Sequence, residues 1–166
     1  MRNKYNTEFE KVFLPYLQKK MAENPTDSLI ARSDAEEKYY SDLLKSDTVS
    51  AEKKHDIEQS RSFMKLFSGV KNKLLSTTLY NAAGYYWDIH APQSEQLKQK
   101  YIEWLNFFYA LDRGTNIAIP ASEKLIELGR KDLAIKLLQN LEEYLKLTGD
   151  PDKELDKTRQ ALEKLK

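Results

Sequence analysis

Two residue pairs in this 166-residue chain have types and spacing that could do chemistry. Glu52 and His55 put a carboxylate and an imidazole on one helical face, the arrangement found in each half of a di-iron bundle site. Such a site needs a second Glu-x-x-His and two more inward Glu residues. The other histidine, His90, has Trp87 three residues before it, and His55 sits among Lys53, Lys54 and Asp56 on a solvated face. The ligand set is incomplete, so no metal is expected. Asp88 and His90 could orient an imidazole as a general base. No Ser or Cys nucleophile motif accompanies them, and the pair lies at a helix end, where such residues commonly cap. The chain contains no Cys, Gly-rich phosphate loop, Gly-x-Ser-x-Gly elbow or His-Glu-x-x-His. No catalytic residue and no cofactor is therefore expected.

Composition narrows the class further. The counts of 27 basic and 26 acidic residues leave a formal charge of +1, which supplies no general attraction to nucleic acid or to an anionic membrane. Basic residues occur as short pairs such as Lys19-Lys20 and Lys53-Lys54, not as a stripe. No apolar run approaches the length of a membrane span, and the N-terminal MRNKYNTEFEKVF carries no apolar leader. A cytoplasmic protein fits these features. An exported protein whose signal peptide is replaced by Met1 fits them too. Only five Gly and five Pro in a chain rich in Leu, Lys, Glu and Ala predict helix almost throughout, in one domain over 1–166.

Apolar periodicity supplies the elements. A first helix from Asn6 or Thr7 to about Glu23 carries Phe9, Val12, Phe13, Tyr16, Leu17 and Met21, with Pro15 expected to kink or split it. Ser33 and Glu36 form a capping box, opening a short helix that buries Tyr39, Tyr40, Leu43 and Leu44. Ser50 caps a third helix with Ile57, Met64, Phe67, Val70, Leu74, Thr78, Ala82 and Tyr85 in phase. It either runs unbroken to about Trp87 or bends at Gly69. Ser94 caps a fourth helix, which carries apolar residues round so much of its circumference that it must touch neighbours on several sides; Gly114 would end it. A fifth helix uses Ile117, Ala121, Leu125 and Leu128 and stops at Gly129, with Pro120 near its start. A sixth buries Ala134, Leu137, Leu138, Leu141 and Leu145. Asp150 and Pro151 read as the N-cap and first residue of a final helix burying Leu155, Leu162 and Leu165.

The stretch from Leu74 to His90 organises these elements. It sets Ala82, Ala83 and Gly84 beside Tyr80, Tyr85, Tyr86 and Trp87, so that one face admits a close helix and large rings fill the space around it. Leu79 to Tyr86 and the Gly129–Ala134 turn together resemble tetratricopeptide (TPR) helix pairs, with Ala83 and Ser122 at equivalent close-contact positions. The resemblance covers 77–149. It departs at Lys131, where an aromatic is usual, and in a sixth helix that passes Lys146 without a terminating Pro. It implies two helical hairpins behind an N-terminal region over 6–75, with 151–165 as a capping helix. An all-α array of six to seven antiparallel helices is expected on either arrangement, a TPR-like solenoid or an irregular bundle.

By that resemblance, Tyr80, Trp87 and Asp88 would point into a groove. Tyr and Trp suit binding sites because they add area with little entropy to lose. The expected function is a non-enzymatic module that takes a protein or peptide partner in that groove. The alternative is a helical subunit, inhibitor or secretion chaperone binding through an outer face such as the wide face of the fourth helix (Trp104, Phe107, Phe108), a face a homodimer could also hide. A third class is a small enzyme or ligand carrier with an internal cavity lined by Tyr85, Tyr86 and Trp104.

Overall fold

A computed structural model describes residues 2–149 and 152–165, giving backbone alone for residues 2–8, 64, 65, 67–69 and 152. The described residues form seven helices and no strand. These are α1 (Arg2–Glu23), α2 (Thr26–Lys45), α3 (Ala51–Ile89), α4 (Glu95–Leu111), α5 (Thr115–Glu127), α6 (Lys131–Thr148) and α7 (Asp152–Glu163). From α3 onward each helix packs on the next. In addition α3 touches α5, and α5 touches α7. On the other side α2 lies across α4 and α6, while α1 packs against α3. Asp150 and Pro151, read as a cap and first turn, lie outside the described residues.

The core is centred on α4. Tyr101, Ile102, Trp104, Leu105, Phe107, Phe108, Tyr109 and Ala110 are all buried, so this helix is covered on nearly every side, as its apolar circumference predicts. Around it stand Phe13 and Leu17 of α1, Leu29 of α2, Leu79 and Ala83 of α3, the Ile117–Ala118–Ala121–Leu125 face of α5 and the Ala134–Leu145 stripe of α6. Ser50 and Ser94 cap as expected, their hydroxyls accepting from the amides of Lys53 and Leu97. The turn after α5 is a Schellman closure. Gly129 at φ +77° donates its amide to Ile126 O, and Arg130 donates to Leu125 O. Gly149, at φ +65°, ends α6 in the same left-handed region.

Several boundaries and faces differ from the sequence expectation. Pro15 lies inside an unsplit α1 that begins at Arg2. Ser33 does not open a helix. The N-cap of α2 is Pro25, whose carbonyl accepts from Leu29 N, and one continuous helix buries Leu29 and Glu37 while Tyr39 stays exposed. Of the two courses expected for α3, the unbroken one holds through Gly69. Its buried line is Ser76, Leu79 and Ala83, one position out of phase with the expected Val70–Leu74–Thr78–Ala82 line, and Val70 and Leu74 are exposed. Ser76 and Ala83 favour that phase, because their small side chains allow α4 to sit close. Gly114 does not stop α4. Asp112 does so in extended conformation, and Gly114 (φ −122°) caps α5 where a Cβ would lie 2.6 Å from Asn116 Oδ1. Pro120 stands in the middle of α5. In α7 the fully buried residue is Thr158; Leu155, Leu162 and Leu165 are half-buried around it.

Candidate functional site

The C-terminal half of α3 carries the residues singled out by type. Its small-residue line faces α4, where Ser76 donates its hydroxyl to Phe108 O at 2.7 Å, and a Cβ on Gly84 would meet the Tyr101 hydroxyl at 3.8 Å. Aromatic rings seal the sides of this crossing. The Trp87 ring stacks on Tyr101 with centroids 4.8 Å apart and planes 16° apart, and Tyr80 meets Phe108 edge-on at 6.5 Å. Gln93 donates its side-chain amide to Trp87 O, fastening the connector that leads to α4.

Tyr80 and Trp87 therefore straddle the boundary between core and solvent, and Asp88 is exposed beside them. Burial raises the Tyr80 hydroxyl above its ordinary range, and the carboxylates Glu123 and Glu127 of α5 add to the rise. Tyr101 is raised further, first by burial and then by Tyr80, Asp88 and Glu127. The Lys124 ammonium pairs with Glu127 and partly offsets its charge.

The other two expected contact residues are elsewhere. Trp104 is 5% exposed and Phe107 is fully buried, so neither presents area to a partner. Trp104 packs edge-on against Phe13 of α1 and against Tyr86. The wide face of α4 is consequently covered within the chain itself by α1, α2, α3 and α5; periodicity predicts that it is covered but not which helices cover it. Nor do Tyr85, Tyr86 and Trp104 line one internal cavity. Tyr85 is turned outward onto Phe9, while Tyr86 and Trp104 border an open cleft of about 350 Å³ with Leu14, His90 and Lys100.

The two histidines have partners other than those their spacing suggests. His90 caps α3, donates from Nδ1 to Tyr86 O at 2.8 Å and places Nε2 2.6 Å from Glu10 of α1, so Asp88 does not orient it. His55 is exposed and shares a hydrogen bond with Gln59 on its own helix. Among the described residues no group of three His, Cys, Asp or Glu side chains converges as a metal site.

A second polar centre has no sequence signature. Arg113, in the α4–α5 connector, keeps only 4% of its side chain exposed. Its Nη1 donates to Ser33 Oγ and Asp34 Oδ1 of α2, and its Nη2 donates to Asn140 Oδ1 of α6. The Tyr109 hydroxyl donates to the same Asn140 oxygen at 2.7 Å, and the guanidinium lies 4.0 Å over the Tyr144 ring. Burial pushes the Tyr109 hydroxyl up to about 12, against the lowering effect of Arg113. Clefts of about 410 and 310 Å³ open on either side, with Asn140 in the wall of both. Nη1 and Nη2 of Arg113 tie the α4–α5 connector to α2 and α6, while Nε is buried without a hydrogen-bond partner, which makes the centre a fastening. The one available signal is an Arg just past a helix end, and its partners lie 27 to 80 positions away.

No protein-family model matches the chain, and neither the curated proteins nor the solved structures contain a significant match to it.

Proposed function

We propose that the chain is a non-enzymatic interaction module built on TPR-like helix pairs, with α3–α4 and α5–α6 as the two units and α7 as the cap. The observation that carries this reading is the succession of α3, α5 and α7 along one side, each touching the next, while α2 covers α4 and α6 on the other. That order leaves the α3–α5–α7 side as the surface on which a peptide or protein segment would lie. Tyr80, Trp87 and Asp88 stand at its α3 edge, and Glu123 and Glu127 favour a partner segment with basic residues. Half-buried aromatic rings already held by stacking can bind with little further loss of freedom.

The test compares the wild-type chain with Tyr80→Ala and Trp87→Ala as immobilised baits for a library of peptides of varied charge. Each substitution should weaken retained peptides by about 2 kcal/mol, roughly 30-fold, while the far-UV CD spectrum stays helical. Full affinity in both variants would remove the groove assignment. A subunit binding through an outer face is the rival reading, and one observation favours it: a line of exposed apolar side chains on α3, away from the Tyr80–Trp87 edge.

A further inference from the structure

The N-terminal two-thirds of α3 carries Phe63, Leu66, Val70 and Leu74 at helical spacing, and their exposures are 61, 65, 62 and 69%. Helical periodicity aligns these residues on one face of α3. Tyr85 continues the line, 49% exposed, and Phe9 of α1 packs edge-on against it at 5.3 Å. From Phe9 the same side of α1 leads to Val12 and Tyr16, exposed by 71 and 42%. The four α3 residues expose roughly 450 Å² of surface, and adding Tyr85, Val12 and Tyr16 brings this to roughly 750 Å². A standard interface buries about 800 Å² on each partner, whereas the largest apolar patch of an ordinary monomer is about 300–600 Å².

The order of residues along the line specifies the occupant. When α3 is laid antiparallel on itself about a two-fold axis between positions 68 and 69, Phe63 stands opposite Leu74. In the same register Gln59 meets Thr78, Asp56 meets Asn81 and Glu52 meets Tyr85. Phe63 then faces Leu74 on both sides of the axis, with Leu66 and Val70 between them on the same face. Toward both ends Asp56 faces Asn81, whose side-chain amide can donate to the carboxylate. One two-fold axis satisfies all four pairings at once, as an isologous contact requires. We propose that this face of α3 pairs with the same face of a second copy of the chain, antiparallel and in this register. The proposal uses a surface separate from the Tyr80–Trp87 edge and stands independently of the groove reading.

Sedimentation velocity of the full chain between about 1 and 100 μM provides the test. The wild type should sediment as a dimer. Leu66→Glu combined with Val70→Glu should weaken the dimer at least about 100-fold by placing charge in the apolar centre. Both positions are exposed in the single chain, so the CD spectrum should stay helical. Because the chain has no Cys, register is read directly: Gln59→Cys chains mixed with Thr78→Cys chains under oxidant should give a disulfide-linked dimer. A wild type that stays monomeric across the range overturns the proposal, as does a dimer that survives the double Glu variant. Efficient cross-linking of Gln59→Cys chains to one another, the mark of parallel pairing, overturns it too. Tyr80→Ala and Trp87→Ala should leave sedimentation unchanged, so failure of the groove and failure of the dimer are distinguishable.

Discussion

Tyr109 shows how one side chain can be both core and fastening. Its ring is buried on α4, and its hydroxyl reaches Asn140 of α6 beside the Arg113 guanidinium. A hydroxyl raised from 10.0 to about 12 favours folding in its neutral form. That contribution is complete below pH 10 and is lost as pH rises through about 12. Stability to urea should therefore fall by about 1.4 kcal/mol per pH unit per such tyrosine across that interval. Tyr101, also raised by burial, adds in the same direction. Phenolate absorbance should show these two among the ten tyrosines ionising only together with loss of the helical CD signal. Titration of all ten near pH 10 in a folded chain would show that neither hydroxyl is shielded.

At the scale of the element, the phase of α3 is the informative feature. A helix of 39 residues packs its small-residue line on α4 at one end and leaves large apolar residues exposed along the rest. Ala83 is fully buried in that line, whereas Ala82 beside it is half-buried. Ala83→Leu should cost about 1–3 kcal/mol by forcing α3 away from α4, and Ala82→Leu should cost much less. Equal effects in urea unfolding would mean that the close approach is not at Ala83. The sequence picked out the Ala82–Ala83–Gly84 cluster as a helix contact, and the structure narrows that contact to the Ser76–Leu79–Ala83 line. Periodicity alone could not choose between adjacent lines because large apolar residues occur on both. The capping serines at 50 and 94 and the Gly129 turn were legible because their hydrogen bonds are local.

For the whole molecule, Arg113 joins the α4–α5 connector to α2 and α6. Arg113→Ala should destabilise the chain by about 3–5 kcal/mol, because Tyr109 and Asn140 lose their charged partner and Asp34 loses its counter-ion. Urea unfolding of Asp34→Asn supplies the comparison, with a smaller loss expected because the Asn amide oxygen can still accept from Arg113 Nη1 and the bonds to Ser33 and Asn140 remain. A negligible change in Arg113→Ala would reduce the network to a surface contact.

The amino-acid sequence by itself determined the all-helical class, most helix ends and the encirclement of α4, since propensity, caps and 3.6-residue periodicity act within a few positions. It also singled out Tyr80 and Trp87 as groove aromatics, and the structure shows both to be half-buried. Only the tertiary structure decided that Trp104 and Phe107 are core, that Ser33 serves Arg113 instead of opening a helix, and that His90 answers Glu10 and not Asp88. The reason is physical. Burial and long-range hydrogen bonding depend on which helix covers which face, and that choice is made by the combined fit of α1 to α7 around α4.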